Sequence, residues 1–164
     1  MGGGYHGGFG NTYGANYHSG RAFRFLSQQR NKNSITRDDI ITGLSGVTEI
    51  STSIAKHIEQ GDIKINVISD SLFNRYITDG HLFDGVQMGN QIYIKNSSKN
   101  VLSVIVHEGN HALDVLKGMS QKTVASREGE YRSFMAEHNF QKAKGMKLEF
   151  SSEEEIKKHI RRNY

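Results

Sequence analysis

A chain of 164 residues has room for one domain with a modest core. Only 35% of its residues are hydrophobic, no apolar run approaches the length of a membrane span, and no charged-then-apolar secretion signal follows Met1. Cysteine is absent, which excludes a disulfide framework and leaves histidine and carboxylate as the donors for any metal. The net charge of +4 is carried by Arg21, Arg24, Arg30 and Lys32, in a stretch of 33 residues with no acid; the remainder balances its basic side chains against its 17 acidic ones. The charge therefore belongs to a tail and gives nucleic-acid binding by the domain little support; neither a nucleic-acid nor a membrane partner is expected.

In chain order, residues 1–33 read as a flexible Gly/aromatic-rich basic linker, with no strand or helix period and with His6 and His18 as solvated linker histidines. The folded domain is expected over 34–164. Thr36-Arg37-Asp38-Asp39 has the form of a short capping box and starts a helix through Ile40, Ile41 and Leu44. Gly43 and Gly46 weaken that helix before it resumes through Ile50, Ile54 and Ile58 and stops at Gly61. Residues 62–67 alternate as a strand. A short helix from Ser71 to Ile77 follows, capped by Asp70, and strands over 82–87 and 91–94 are joined through Gly89-Asn90. Next comes an apolar helix through Val101, Val104, Ile105, Ala112, Val115 and Leu116, with Ser97 or Ser98 as its cap and Gly118 as its stop. Residues 120–143 read as one further helix, Gly145 breaks the chain after it, and Ser151-Ser152 caps a charged final helix. His57 and His159 are expected to face solvent.

The apolar helix carries His107-Glu108-Gly109-Asn110-His111, the HExxH pattern. Two imidazoles four residues apart leave a helix on the same side, so both reach one tetrahedral Zn²⁺. The adjacent Glu108 then lies beside the open coordination position, where it serves as general base toward a water attacking a carbonyl. A polar His-Glu-His cluster set in Val-Ile-Val faces a core or a cleft, and is costly there without a metal or partners. Periodicity alone leaves the third ligand open among Glu128, Glu130 and Glu137.

The HEGNHALD helix, the QIYI strand before it, the REGEYRSFMAEH helix after it and the closing EEEIKKHIRRNY helix cover roughly residues 90–164. Together they resemble the gluzincin-like metallopeptidases, and more narrowly the C-terminal toxin peptidase domains of bacterial polymorphic toxins. The metzincin pattern does not fit, because Asp114 and Lys117 stand where it requires glycine and a third ligand. The gluzincin resemblance implies a glutamate ligand from the following helix. Glu130, 19 residues past His111, is at close to the usual separation, and the small Ser133 leaves room for a close helix crossing. Glu128 is the runner-up, and Glu137 is read as supporting or surface. Asp114 is expected to orient a ligand histidine, Tyr131 to steady an oxyanion or pack in the core, and His138 to come near the site.

The resemblance further implies an α+β, zincin-like fold with a small, mostly antiparallel sheet packed on the active-site helix. In such folds the strand at 91–94 is the edge beside which an extended peptide lies. It implies an effector that cleaves protein or peptide, is secreted or delivered into a target cell as part of a larger protein, and is held off by an immunity protein. Two other readings stand beside it: a non-catalytic module stabilised by zinc, and an intracellular regulatory metallopeptidase, whose usual helix-turn-helix companion is not evident.

Overall fold

The computed structural model describes residues 35–164 and the backbone of a two-residue strand, β1 (Tyr5–His6). The expected linker over 1–33 otherwise lies outside the described residues. Helix α1 (Arg37–Leu44) starts on the Thr36–Asp39 capping box, and α2 (Glu49–Gln60) starts on a second box between Thr48 and Ser51. Arg37 donates to the carbonyls of Ile58 and Glu59, placing a cation on the C-terminal end of α2 beside the Gly61 amide that also caps Ile58. Gly61 ends α2 in the left-handed region (φ +83°), and β2 (Lys64–Ile68) follows. Helix α3 (Asp70–Tyr76) is capped by Ser69 rather than Asp70, whose carboxylate instead accepts from the Ser97 amide.

Strands β3 (Phe83–Met88) and β4 (Gln91–Lys95) form the expected hairpin. The sheet as a whole is mixed, in the order β1-β3-β4-β2, and only β3–β4 is antiparallel. The expectation of a mostly antiparallel sheet is thereby corrected. Strand β2 runs parallel to β4, which demands a crossover, and α3 supplies part of it. The same pairing makes β4 central, so its expected role as the peptide-accepting edge is also corrected. Its burial agrees. Ile92 and Ile94 face one apolar cluster, and Tyr93 faces another with Phe73, Ile77 and Val86.

Helix α4 (Val101–Leu116) packs across β3 and β4 on the first of these faces, backed by α1, α2 and later α6. Every residue from Ser103 to Asp114 is buried. Its N-cap is Asn100, with no side-chain cap bond, in place of the expected Ser97 or Ser98. Two glycines set its depth. A Cβ on Gly109 would come within 2.8 Å of Ile54 on α2, and one on Gly85 of β3 would overlap Val104.

The single helix expected over 120–143 is in fact two: α5 (Gln121–Val124) and α6 (Arg127–Lys144), the second capped by Ser126. The break has a steric signature, since a Cβ on Gly129 would overlap the Val124 carbonyl oxygen. Absence of that carbon lets the chain fold tightly back before α6 begins. Gly145 closes α6 at φ +66°, and Ser152 caps α7 (Glu153–Asn163), which buries Ile156 and Ile160 against Phe134. None of the described helices is long and apolar enough to cross a membrane.

Candidate metal centre

Helices α4 and α6 cross where the sequence puts small or hydrogen-bonding residues on both. Asn110 of α4 donates to Ser133 Oγ of α6 at 3.0 Å, and Ser133 is fully buried. One turn before Ser133, Glu130 enters the space above His107 and His111. Its Oε2 is 3.3 Å from His107 Nε2, and its Oε1 is 3.4 Å from His111 Nε2. One donor atom from each of the three residues lies within 4.8 Å of the others. All three residues are buried, and together they form a group able to hold a metal ion.

The far nitrogen of each imidazole is held by a second partner. His107 Nδ1 is 3.3 Å from Glu137 Oε2, and His111 Nδ1 is 3.3 Å from Ser133 Oγ. Glu137 is itself fixed: Ser103 donates to its Oε1 at 2.7 Å, and Gln141 donates to the same oxygen at 3.2 Å and to Ser103 Oγ at 2.7 Å. An imidazole that gives its Nδ1 proton to such a partner presents the Nε2 lone pair outward, the tautomer a metal requires. The Phe134 ring, itself edge-on to Phe150 and His159, meets the His107 ring edge-on at 4.4 Å between centroids and limits its tilt.

The electrostatics suit a cation. Burial opposes a charge on His107, yet Glu130, Glu137 and Glu108 outweigh it and bring the imidazole up to about 9. Burial also opposes the charge on Glu130, but His111 and His107 bring its carboxyl down to about 2. Three carboxylates thus converge on one buried imidazole. His111 Nε2, also buried, faces the Glu130 carboxylate. Both observations fit a positive ion set among the Nε2 atoms and Glu130, since buried carboxylate charge is otherwise costly.

The remaining sequence candidates divide sharply. Glu128, the alternative ligand, has a side chain 82% exposed and pairs with Arg132 at 3.2 Å. Asp114 is buried but turns to Arg132 at 2.9 Å, with Lys117 at 3.9 Å, instead of orienting a histidine; the α6 arginine that claims it is remote in sequence. Tyr131 donates its hydroxyl to Glu153 on α7 at 2.6 Å, and His138 is not part of the ligand group. His159, expected in solvent, packs on Phe134 and Phe150. Ser103 and Gln141 were not singled out by sequence reasoning. Their signal is the helical one: Ser103 precedes His107 by four residues, and Gln141 follows Glu137 by four.

Glu108 is fully buried on the β3 side of α4; a Cβ on Gly85 would stand 3.5 Å from its Cγ. A groove of about 460 Å³ between α2, α4 and α6 is lined by Glu49, Asn110, Asp114, Arg132 and Met135 among others, and includes none of the ligand residues or Glu108. No protein-family model, no curated protein and no solved structure matches this chain.

Proposed function

We propose that the chain is a zinc-dependent endopeptidase with His107, His111 and Glu130 as ligands and Glu108 as general base, serving as the toxin effector domain of a larger secreted protein. The observation that carries the reading is the arrival of Glu130, from a separate helix, within 3.4 Å of both HExxH imidazoles. Two histidines and one glutamate are a donor set that zinc takes in hydrolases. A zinc ion held by them would supply Lewis acidity toward a water and a substrate carbonyl. Glu108 would accept a proton from the attacking water and return it to the amine as the C–N bond breaks. The Glu137–Ser103–Gln141 chain holds His107 in orientation, and Ser133 does the same for His111. The effector role rests on the resemblance of residues 90–164 and implies an immunity protein as a second partner.

Glu108→Gln tests the mechanism. Metal content and thermal stability are expected to be unchanged, while hydrolysis of a denatured protein substrate falls about 10²–10⁴-fold. Full activity in a metal-loaded Glu108→Gln protein would overturn the assignment of the base.

One observation favours a second reading, a non-catalytic module stabilised by the metal. His107, Glu108 and Glu130 are wholly buried and His111 nearly so. A purely structural ion predicts about one metal per chain, stability that collapses on chelation, and no hydrolysis of any unfolded protein. An intracellular regulatory peptidase would differ only in substrate.

A further inference from the structure

An enclosed site raises the question of where an extended peptide would lie. Strand β4 cannot accept one, because β2 and β3 occupy both its sides. Two outer edges remain among the described strands of the domain, those of β2 and β3. Helix α4 packs against β3, and the β3 edge passes Glu108 at Gly85. On that edge sits β1, with Tyr5 in register with Phe83 and His6 in register with Gly85. Strand β1 also lies against α4, the helix that carries the HExxH residues.

We propose that the β3 edge beside Glu108 is the docking surface for an extended peptide, and that the chain's own Tyr5–His6 segment is its resident occupant, competing with substrate. This rests on the peptidase reading for its consequence, though not for the contact itself. The features of the contact suit a displaceable occupant. Strand addition gains backbone hydrogen bonds that any extended peptide supplies. The β1 ladder is only two residues long and shifts register between Tyr5 and His6, so few bonds need exchange. The flanking residues Gly2, Gly3, Gly4, Gly7 and Gly8 have no side chains to anchor and lose much conformational freedom on ordering. Gly85 fits the same role from the other side, since its bare backbone lets the edge run closely over α4. An occupant held by so little is outcompeted by a longer unfolded substrate and excludes a weaker one.

The test compares the full-length chain with its Tyr5→Pro/His6→Pro variant. Proline at both positions removes whichever of their amides donates to β3, and changes no residue of the domain. Hydrogen exchange across Phe83–Gly85 is expected to quicken at least tenfold in the variant while α4 keeps its protection. A synthetic peptide of residues 2–10 added in trans is expected to restore protection. With a short unstructured peptide substrate, the variant is expected to show a KM several-fold lower at unchanged kcat. Equal exchange in the two proteins would overturn the docking, whatever their activities. Faster exchange with an unaltered KM would overturn the competition. If neither protein cleaves any substrate while exchange responds as expected, the peptidase reading fails and the docking stands.

Discussion

The two helices that make the metal group are built on opposite plans. Helix α4 is buried along twelve consecutive residues, and its polar positions interrupt a run of valine, isoleucine, alanine and leucine. Helix α6 buries Gly129, Glu130, Ser133, Phe134, Ala136, Glu137, Phe140 and Gln141, a stripe at helical spacing in which half the members are polar. The first helix is placed by the hydrophobic effect and carries its ligands inward with it. The second is placed as much by the site as by the core. Its Glu130, Ser133 and Glu137 all end on the α4 histidines, and Gln141 supports Glu137. A metal held by this group would thus matter more for how α6 docks than for whether α4 forms.

The largest effect should come from breaking the contact between them. Glu130→Ala is expected to reduce metal from about one per chain to background and to destabilise the protein by about 3–5 kcal/mol, the usual cost of removing one partner from a buried charged pair. Glu128→Ala, two residues away, removes an exposed pair with Arg132 and is expected to stay within about 0.5 kcal/mol of wild type with full metal content. Metal analysis and denaturant melts on the two variants, with His107→Ala as the reference for an empty site, measure the contrast. Retained metal in Glu130→Ala together with loss in Glu128→Ala would reverse the assignment of the third ligand.

A smaller effect sharpens the same comparison. Glu137 is not one of the three residues grouped to hold a metal, but it faces His107 Nδ1 and is fixed by Ser103 and Gln141. Glu137→Gln keeps the shape and loses the charge, and metal affinity is expected to fall about 10–100-fold as for other residues that orient a metal-binding imidazole. Competition with a calibrated chelator reads this directly. Secondary structure by circular dichroism should not move. If affinity is unchanged, Glu137 is only a packing residue.

How far the sequence foretold this arrangement depends on the range of the interactions. Features set by neighbours in sequence were legible: the Thr36–Asp39 capping box, the stop at Gly61, the hairpin across Gly89-Asn90, the Ser152 cap, and the His107–His111 pair on one helix face. Features decided by distant partners were not. The parallel pairing of β2 with β4 leaves no local trace, so a strand expected at the edge is central. Asp114 was expected to serve a histidine three residues away, but Arg132 reaches it from the next long helix. The break before α6 depends on Gly129 meeting the carbonyl oxygen of Val124, five residues earlier, which no period reveals. Glu137 and Gln141 read as ordinary helix polarity because a buried polar stripe and a solvated one have the same periodicity.

Tyr131 gives the finest test of that last ambiguity. It lies next to Glu130 in sequence, and a phenol beside a metal ligand is a natural donor to an oxyanion. On a helix, however, adjacent residues point about 100° apart, so a buried Glu130 turns Tyr131 outward. Its hydroxyl donates to Glu153 at 2.6 Å, with the Lys157 ammonium 5.9 Å from the ring centre, and this bond pins the start of α7 to α6. Hydrogen bonding to Glu153 also raises the phenol above its ordinary pKa, which makes it no better a proton donor near neutrality. Tyr131→Phe is therefore expected to leave kcat within about twofold and to cost no more than about 1 kcal/mol, the range for a single hydrogen bond at a surface. Activity and melting of the variant, measured beside Glu153→Gln, separate the two roles. A hundredfold loss of kcat in Tyr131→Phe alone would mean that the start of α6 turns to bring the phenol over the metal during the reaction, and that α6, unlike α4, is a moving part.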